Sequence, residues 1–124
     1  MAYLERDQGR RVYYEDNGSG DRAVFLIHGW GMGLRAWDYS LHPLIAGGYR
    51  VIALDHRGCG ESDKDFADMS ITAIASDVVA IVEHLGLNTV VLNGWSLGGA
   101  VAVEAASLLA HRCCGLVLTC GAAP

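Results

Sequence analysis

The sequence predicts an α/β fold with a mostly parallel sheet and helices on both faces. Four short runs are almost wholly apolar and do not alternate with polar residues, which is typical of strands buried on both faces. These runs cover residues 23–27, 51–54, 90–92 and 116–118. Helical patterns precede and follow the third run, as expected where helices connect parallel strands.

Composition narrows the classes of protein to be considered. The 124 residues are 52% hydrophobic and include 16 glycines, which indicates a packed core with tight turns. The net charge of −5 and the scattered basic residues argue against a nucleic-acid partner. The first residues carry no secretory signal, so we expect a cytoplasmic location. Residues 85–103 are uncharged, but Asn and Gly residues interrupt them, and no membrane span is expected.

Four cysteines suit neither a metal site nor a redox pair. Cys113 and Cys114 are adjacent, and neither they nor Cys59 and Cys120 form a C-x-x-C motif. We expect them to be free and mostly buried, and we expect neither a metal nor an organic cofactor.

The first predicted elements are two short strands, at residues 3–5 and 11–15, joined by Asp7-Gln8-Gly9. The cluster at residues 17–20 is a turn signal before the apolar run at 23–27. Apolar residues at three- and four-residue spacing predict a helix over 71–85, with Ser70 as N-cap and Gly86 as its stop.

The last part of the chain predicts a strand, a helix and a further strand. Residues 97–109 are apolar almost all round, which is typical of a helix buried against the centre of a sheet. Thr89 and Thr119 extend the strands on either side of this helix as β-branched residues.

Ser96 lies between a predicted strand and a predicted helix, in the frame Gly94-x-Ser96-x-Gly98. A sharp turn of this kind exposes a serine hydroxyl at the end of a sheet, and glycine allows the strand and helix to approach closely. The Leu97 N–H would begin the helix, where an anion is stabilised. We therefore expect Ser96 to be a nucleophile.

The segment His28-Gly29-Trp30-Gly31 follows another predicted strand. Acyl transfer passes through an oxyanion that needs two hydrogen-bond donors, and the Trp30 N–H is expected to join that of Leu97. His28 is expected to stabilise its loop by hydrogen bonding and not to act as the base. Gly29, Trp30 and Trp95 are the expected substrate contacts, although packing is an equal expectation for Trp95.

A third segment, residues 55–62, follows the strand at 51–54. Asp55 is expected to pair with Arg57 and brace the turn. A catalytic pair of Cys59 and His56 is the less favoured interpretation, because nothing in the segment would orient the imidazole.

These three motifs, in this order and at these distances, resemble the α/β-hydrolase fold superfamily. The nearest branch holds cofactor-free haloperoxidase/perhydrolase-like esterases and lactonases. The resemblance implies that Ser96 is the nucleophile and that Trp30 and Leu97 supply backbone donors. It also implies an acid and a histidine on later strands, for which residues 1–124 have no matching positions.

The resemblance extends over nearly all of residues 1–124 but over the first half of the family's fold, ending near the point where a cap domain is inserted. We therefore expect the N-terminal half of a serine hydrolase core that cleaves a carboxylic ester or lactone through an acyl-enzyme. Its acid and histidine would come from a C-terminal segment or a second chain, which would also cover the open edge of the strand at 116–119.

Two other interpretations compete with this one. A dinucleotide-binding module would use Gly29-x-Gly31-x-Gly33 and Asp55, but position 34 is Leu where that fingerprint needs glycine. A non-catalytic, hydrolase-like protein that binds a small apolar ligand is the second alternative, because residues 1–124 have no positions that match the acid and the histidine.

Overall fold

The computed structural model describes residues 2–119, which contain a mixed β-sheet in the order β1-β2-β4-β3-β5-β6. Strands β1 and β2 pair antiparallel, as do β2 and β4, whereas β4, β3, β5 and β6 run parallel. The strands are β1 (Ala2–Glu5), β2 (Arg11–Asn17), β3 (Ala23–Ile27), β4 (Arg50–Leu54), β5 (Val90–Trp95) and β6 (Cys113–Thr119). The predicted α/β class with a mostly parallel sheet is confirmed. Cys120 and the expected cap-insertion point lie outside the described residues.

The helices are α1 (Asp38–Ala46), α2 (Ile71–His84) and α3 (Leu97–Leu109). Helix α2 begins as predicted, because Ser70 Oγ accepts the Ala73 N–H at 3.1 Å. Helix α1 was not predicted. It contains Pro43 and none of its residues is fully buried, so the apolar pattern that marks α2 is weak there.

Helices cover both faces of the sheet, as predicted. In β3, Phe25 and Ile27 pack into the core beneath α2 and α3, whereas Val24 and Leu26 belong to the core beneath α1. Successive side chains of a strand point to opposite faces, so a strand covered on both sides must be apolar at every position. All residues of β3 are buried.

The strand order reverses beside β3. The chain leaves β3 through α1 to reach β4 on one side, and α2 then leads to β5 on the other side. The loops that follow β3 and β5 therefore diverge at the carboxyl edge of the sheet, where α/β proteins bind their ligands. These loops carry Gly29, Trp30 and Ser96.

Candidate active site

Ser96 is exposed at the end of β5, immediately before α3. Its φ of 58° and ψ of −121° lie in a region that non-glycine residues rarely occupy. Two hydrogen bonds hold this strained turn: the Ser96 N–H donates to Thr119 O at 3.1 Å, and the Gly99 N–H donates to Ser96 O at 2.8 Å. Strand β6 and helix α3 together fix the backbone from which the hydroxyl projects.

Glycine at positions 94 and 98 allows this turn to form. A Cβ atom at Gly94 would lie 2.1 Å from Gly98 O, and a Cβ atom at Gly98 would lie 2.3 Å from Ile27 O. The backbone of helix α3 is thus in direct contact with the backbones of both β5 and β3. Leu97 is the first residue of α3, so its N–H has no partner within the helix.

The loop after β3 passes directly against the Ser96 turn. A Cβ atom at Gly29 would lie 3.2 Å from Trp95 O, 3.3 Å from Ser96 Cβ and 3.4 Å from Met32 Sδ. Trp30 is 69% exposed and Met32 is 40% exposed. The structure therefore brings Gly29, Trp30, Ser96 and Leu97 to one edge, as their positions in the sequence suggested.

The Met32 side chain also lies against Gly29 in this loop, and sequence reasoning missed it. The Met32 N–H donates to Gly29 O at 3.3 Å, which closes a turn around Trp30. The glycines around Met32 indicated such a turn, but they carried no signal that its side chain would fold back onto Gly29.

Trp95 lies on the face of the sheet that α1 covers. Its ring meets that of Trp37 edge to face, with 6.1 Å between centroids and 69° between planes. This pair belongs to the smaller of the two core clusters, so the indole of Trp95 has a packing role.

His28 and His56 form a buried stack between β3 and β4, with ring centroids 3.7 Å apart. His28 Nε2 accepts the His56 N–H at 2.9 Å, so the proton of the neutral ring lies on Nδ1, which donates to Gly29 O at 2.7 Å. Burial lowers the pKa of His28, and burial together with the neighbouring His28 lowers the pKa of His56 to about 3. Both nitrogens of His28 are engaged, which fits a loop-stabilising histidine and not a free base.

The expected ion pair between Asp55 and Arg57 is wrong. Arg57 instead reaches α2, where Nε and Nη2 bind the two carboxylate oxygens of Asp77 at 2.8 and 2.7 Å. Its Nη1 binds Asp7 Oδ2 at 2.8 Å. Asp55 turns the other way and accepts the N–H groups of Leu34 and Glu61 at 2.7 and 2.8 Å. The two side chains leave the strand end on different sides, so Arg57 forms a bidentate ion pair with Asp77 while Asp55 accepts two backbone N–H groups.

Cys59 and His56 do not form a catalytic pair. Burial raises the pKa of the Cys59 thiol, and the depressed pKa of His56 makes its imidazole a weak base. The thiol is thereby favoured over the thiolate, and the neutral imidazole of His56 has little tendency to accept its proton.

Across residues 2–119, no cluster of three or more His, Cys, Asp or Glu side chains is arranged to hold a metal ion. In the same residues, no helix is both long enough and apolar enough to cross a membrane.

Comparison with known proteins agrees with this architecture. The family of the α/β hydrolase fold matches this chain over residues 22–124. A non-heme haloperoxidase of Rhodococcus erythropolis is 38% identical over 117 residues, which are 94% of this chain and 41% of the relative.

Solved structures give the same result. An esterase from Exiguobacterium antarcticum superimposes with a TM-score of 0.88 at 35% identity, over 98% of this chain and 46% of the esterase. An enzyme described as degrading N-acyl homoserine lactones superimposes with a TM-score of 0.89 at 28% identity, over 97% of this chain and 45% of that enzyme.

The chain thus spans less than half the length of these relatives. Within that span the family model matches most of the chain, and the solved structures superimpose closely on it. The chain belongs to the α/β hydrolase fold family.

Proposed function

We propose that the complete protein is a serine hydrolase that cleaves a carboxylic ester or a lactone, and that residues 1–124 form the N-terminal half of its catalytic domain. The observation that carries the proposal is the strained, exposed Ser96, which lies against the Gly29–Trp30 loop at the edge where the strand order reverses. The esterase and the lactone-degrading enzyme named above support this class of substrate.

The proposed reaction uses Ser96 as a nucleophile. Its Oγ attacks the carbonyl carbon while a histidine removes the hydroxyl proton, and the N–H groups of Trp30 and Leu97 stabilise the resulting oxyanion. Collapse of this intermediate breaks the bond to the alcohol, which leaves with the proton from the histidine. Water then attacks the acyl-enzyme, releases the acid and restores Ser96. These steps require neither a metal nor an organic cofactor.

Trp30, Gly29 and Trp95 are the proposed substrate contacts. The exposed indole of Trp30 would cover the apolar part of an ester, and Gly29 leaves room for the carbonyl beside Ser96. Because Trp95 also packs on Trp37, its contribution would be limited to the backbone and the exposed edge of the ring. A cytoplasmic location forms part of the proposal.

We further propose that a C-terminal segment or a second chain supplies the histidine and its acid. Strand β6 supports this part, because among residues 2–119 it pairs with β5 on one side and with no strand on the other. Leu116, Val117 and Leu118 are each at least 40% exposed. An apolar edge of this kind favours pairing with another strand.

The experiment is the substitution Ser96→Ala in the complete protein, assayed on p-nitrophenyl acetate. We expect kcat/KM to fall by at least about 1,000-fold, because the nucleophile is lost. Ser107→Ala is the matched control, since Ser107 is exposed on α3 and lies outside the proposed site. Retained hydrolysis in Ser96→Ala would refute the assignment. Binding of an ester by the wild-type protein without turnover would instead support the non-catalytic alternative.

A further inference from the structure

The loop that carries Trp30 is anchored at both ends by the residues that follow β4. At its start, His28 Nε2 accepts the His56 N–H at 2.9 Å. At its end, Asp55 Oδ1 accepts the Leu34 N–H at 2.7 Å. Because β3 and β4 are parallel neighbours, their loops leave the same edge of the sheet and can bond to each other.

The carboxylate of Asp55 is itself held rigidly. It is 4% exposed, and its Oδ2 accepts the Glu61 N–H at 2.8 Å. A Cβ atom at Gly60 would lie 2.2 Å from this oxygen, and one at Gly33 would lie 3.0 Å from Oδ1. Glycine at both positions therefore lets the two loops close around one carboxylate.

His28 also fixes the direction of one particular peptide group. Its Nδ1 donates to Gly29 O at 2.7 Å, and the Met32 N–H reaches the same oxygen at 3.3 Å. The Gly29 carbonyl and the Trp30 N–H belong to one peptide unit, which is planar and trans, so they point in opposite directions. Holding the carbonyl in place therefore aims the Trp30 N–H.

We propose that His28 and Asp55 are positioning residues that aim the Trp30 N–H at the oxyanion. The His56 N–H holds the His28 ring, and this ring holds the Gly29 carbonyl. The Trp30 N–H belongs to the same peptide unit as that carbonyl and is oriented with it. The proposal rests on the function proposed above, because it assigns to this donor a part in that reaction. Neither residue touches the substrate.

The test compares three substitutions of His28 in the complete protein. His28→Ala removes both contacts. We expect kcat to fall by about 100-fold, the typical cost of losing or misplacing one oxyanion donor, while KM stays close to the wild-type value. His28→Asn retains a donor near the Nδ1 position, whereas His28→Gln retains an acceptor near the Nε2 position.

These two conservative variants distinguish orientation of the Trp30 N–H from stabilisation of the loop as a whole. If His28 aims the peptide, Asn restores kcat more than Gln does, even where Gln gives the higher melting temperature. If His28 serves only to anchor the loop, kcat follows melting temperature across the series. Equal kcat in the Asn and Gln variants, or wild-type kcat in a folded Ala variant, would overturn the proposal.

A tetrahedral inhibitor gives a readout specific to the oxyanion. Butylboronic acid forms a tetrahedral adduct with a serine hydroxyl, so its inhibition constant is expected to rise in proportion to the loss of kcat/KM. Asp55→Asn should weaken inhibition in the same direction, because an amide can accept one of the two N–H groups but not both. Unchanged inhibition in the His28→Ala and Asp55→Asn variants would contradict the proposal.

Two controls separate this proposal from the proposed function. Asp16→Asn disrupts an ion pair with Arg50 at the opposite end of β4, and it should leave kcat and inhibition unchanged. Ser96→Ala is assayed alongside. Activity in Ser96→Ala refutes the serine mechanism, whereas an inactive Ser96→Ala with a fully active His28→Ala refutes the positioning role alone.

Discussion

At the scale of single residues, protonation of the stacked pair of His28 and His56 is unfavourable in the folded protein. Both rings are at most 2% exposed, and Nε2 of His56 has no hydrogen-bond partner among the described residues. Burial lowers the pKa of each ring, and each would repel a proton on the other. The nearest opposite charge that favours protonation of His28 is Asp55, whose carboxylate is already occupied by two N–H groups.

This pair predicts that stability falls as the pH decreases from 7 to 5. In the unfolded chain a histidine binds a proton near its ordinary pKa of 6.5, whereas folded His56 has a pKa of about 3. The unfolded state therefore binds more protons below about pH 6.5, and the free energy of unfolding decreases by up to about 1.4 kcal/mol per pH unit for each ring. Urea unfolding at pH 7, 6 and 5 measures this slope.

His56→Phe is the matched variant, because it keeps an aromatic ring against His28 but cannot titrate. We expect a shallower slope between pH 7 and 5. A slope as steep as that of the wild type, or stability that increases with acid, would contradict this account.

Residue-scale prediction from sequence worked where the information was local. Ser96, Leu97 and the glycines on either side lie within five positions, and spacing alone indicated their turn. The partner of Arg57 lies 20 positions away on α2, so only the folded chain reveals that Asp77 takes the place expected for Asp55. Met32 was missed for a related reason, because side-chain direction in a glycine-rich loop depends on the packing around it.

At the scale of elements, backbone contacts place the first turn of α3, and its later apolar side chains pack into the core. The first turn of α3 lies against the end of β3, where Gly98 faces the carbonyl groups of Ile27 and His28. The helix, the strand and the start of the loop after β3 are therefore in direct backbone contact. This arrangement explains how Leu97 and Trp30, which are far apart in sequence, remain beside Ser96.

Gly98→Ala should disrupt this contact. Its Cβ would lie 2.3 Å from Ile27 O, so α3 must shift away from β3, at a cost of roughly 1–3 kcal/mol or more. Thermal and urea unfolding measure the loss. Gly47→Ala is the control, because its φ is −79° and the atoms nearest to an added Cβ lie 3.4 Å or more away. Equal stability of the two variants would show that the close approach is not required.

Elements were predictable to the extent that their apolar pattern was strong. The runs in β3 and β4 and the periodic face of α2 are buried on the expected sides. Helix α1 has no residue that is fully buried and contains Pro43, so its formation depends on the sheet face it covers.

At the scale of the whole molecule, the two outer strands of the sheet, β1 and β6, differ in length and exposure. Strand β1 ends the sheet with four residues of alternating exposure, a short edge of the kind that resists further pairing. Strand β6 ends it with seven residues, of which Leu116, Val117 and Leu118 are exposed. The sequence predicted this open apolar edge, because the run at 116–118 resembles the strands that are buried on both faces.

We expect the chain of 124 residues, produced on its own, to self-associate through β6. Light scattering coupled to gel filtration would show oligomers whose proportion rises with concentration. Val117→Lys should shift the chain toward monomer, because a charged side chain on an edge strand opposes pairing. Tyr39→Lys is the control, since Tyr39 is 97% exposed on α1, which packs on β4, and β3 and β5 separate β4 from β6. A wild-type chain that stays monomeric at all concentrations would contradict the prediction.

The hydrogen bond from the Ser96 N–H to Thr119 O can form only late in the synthesis of this part of the chain. Proteins emerge from the ribosome with the N-terminus first, so β5 and the serine appear well before β6. Until Thr119 arrives, one of the two bonds that hold the strained backbone of Ser96 is missing. A nascent chain would therefore expose Ser96 before its backbone is fully held, and the nucleophile proposed here would be in place only after β6 has joined the sheet.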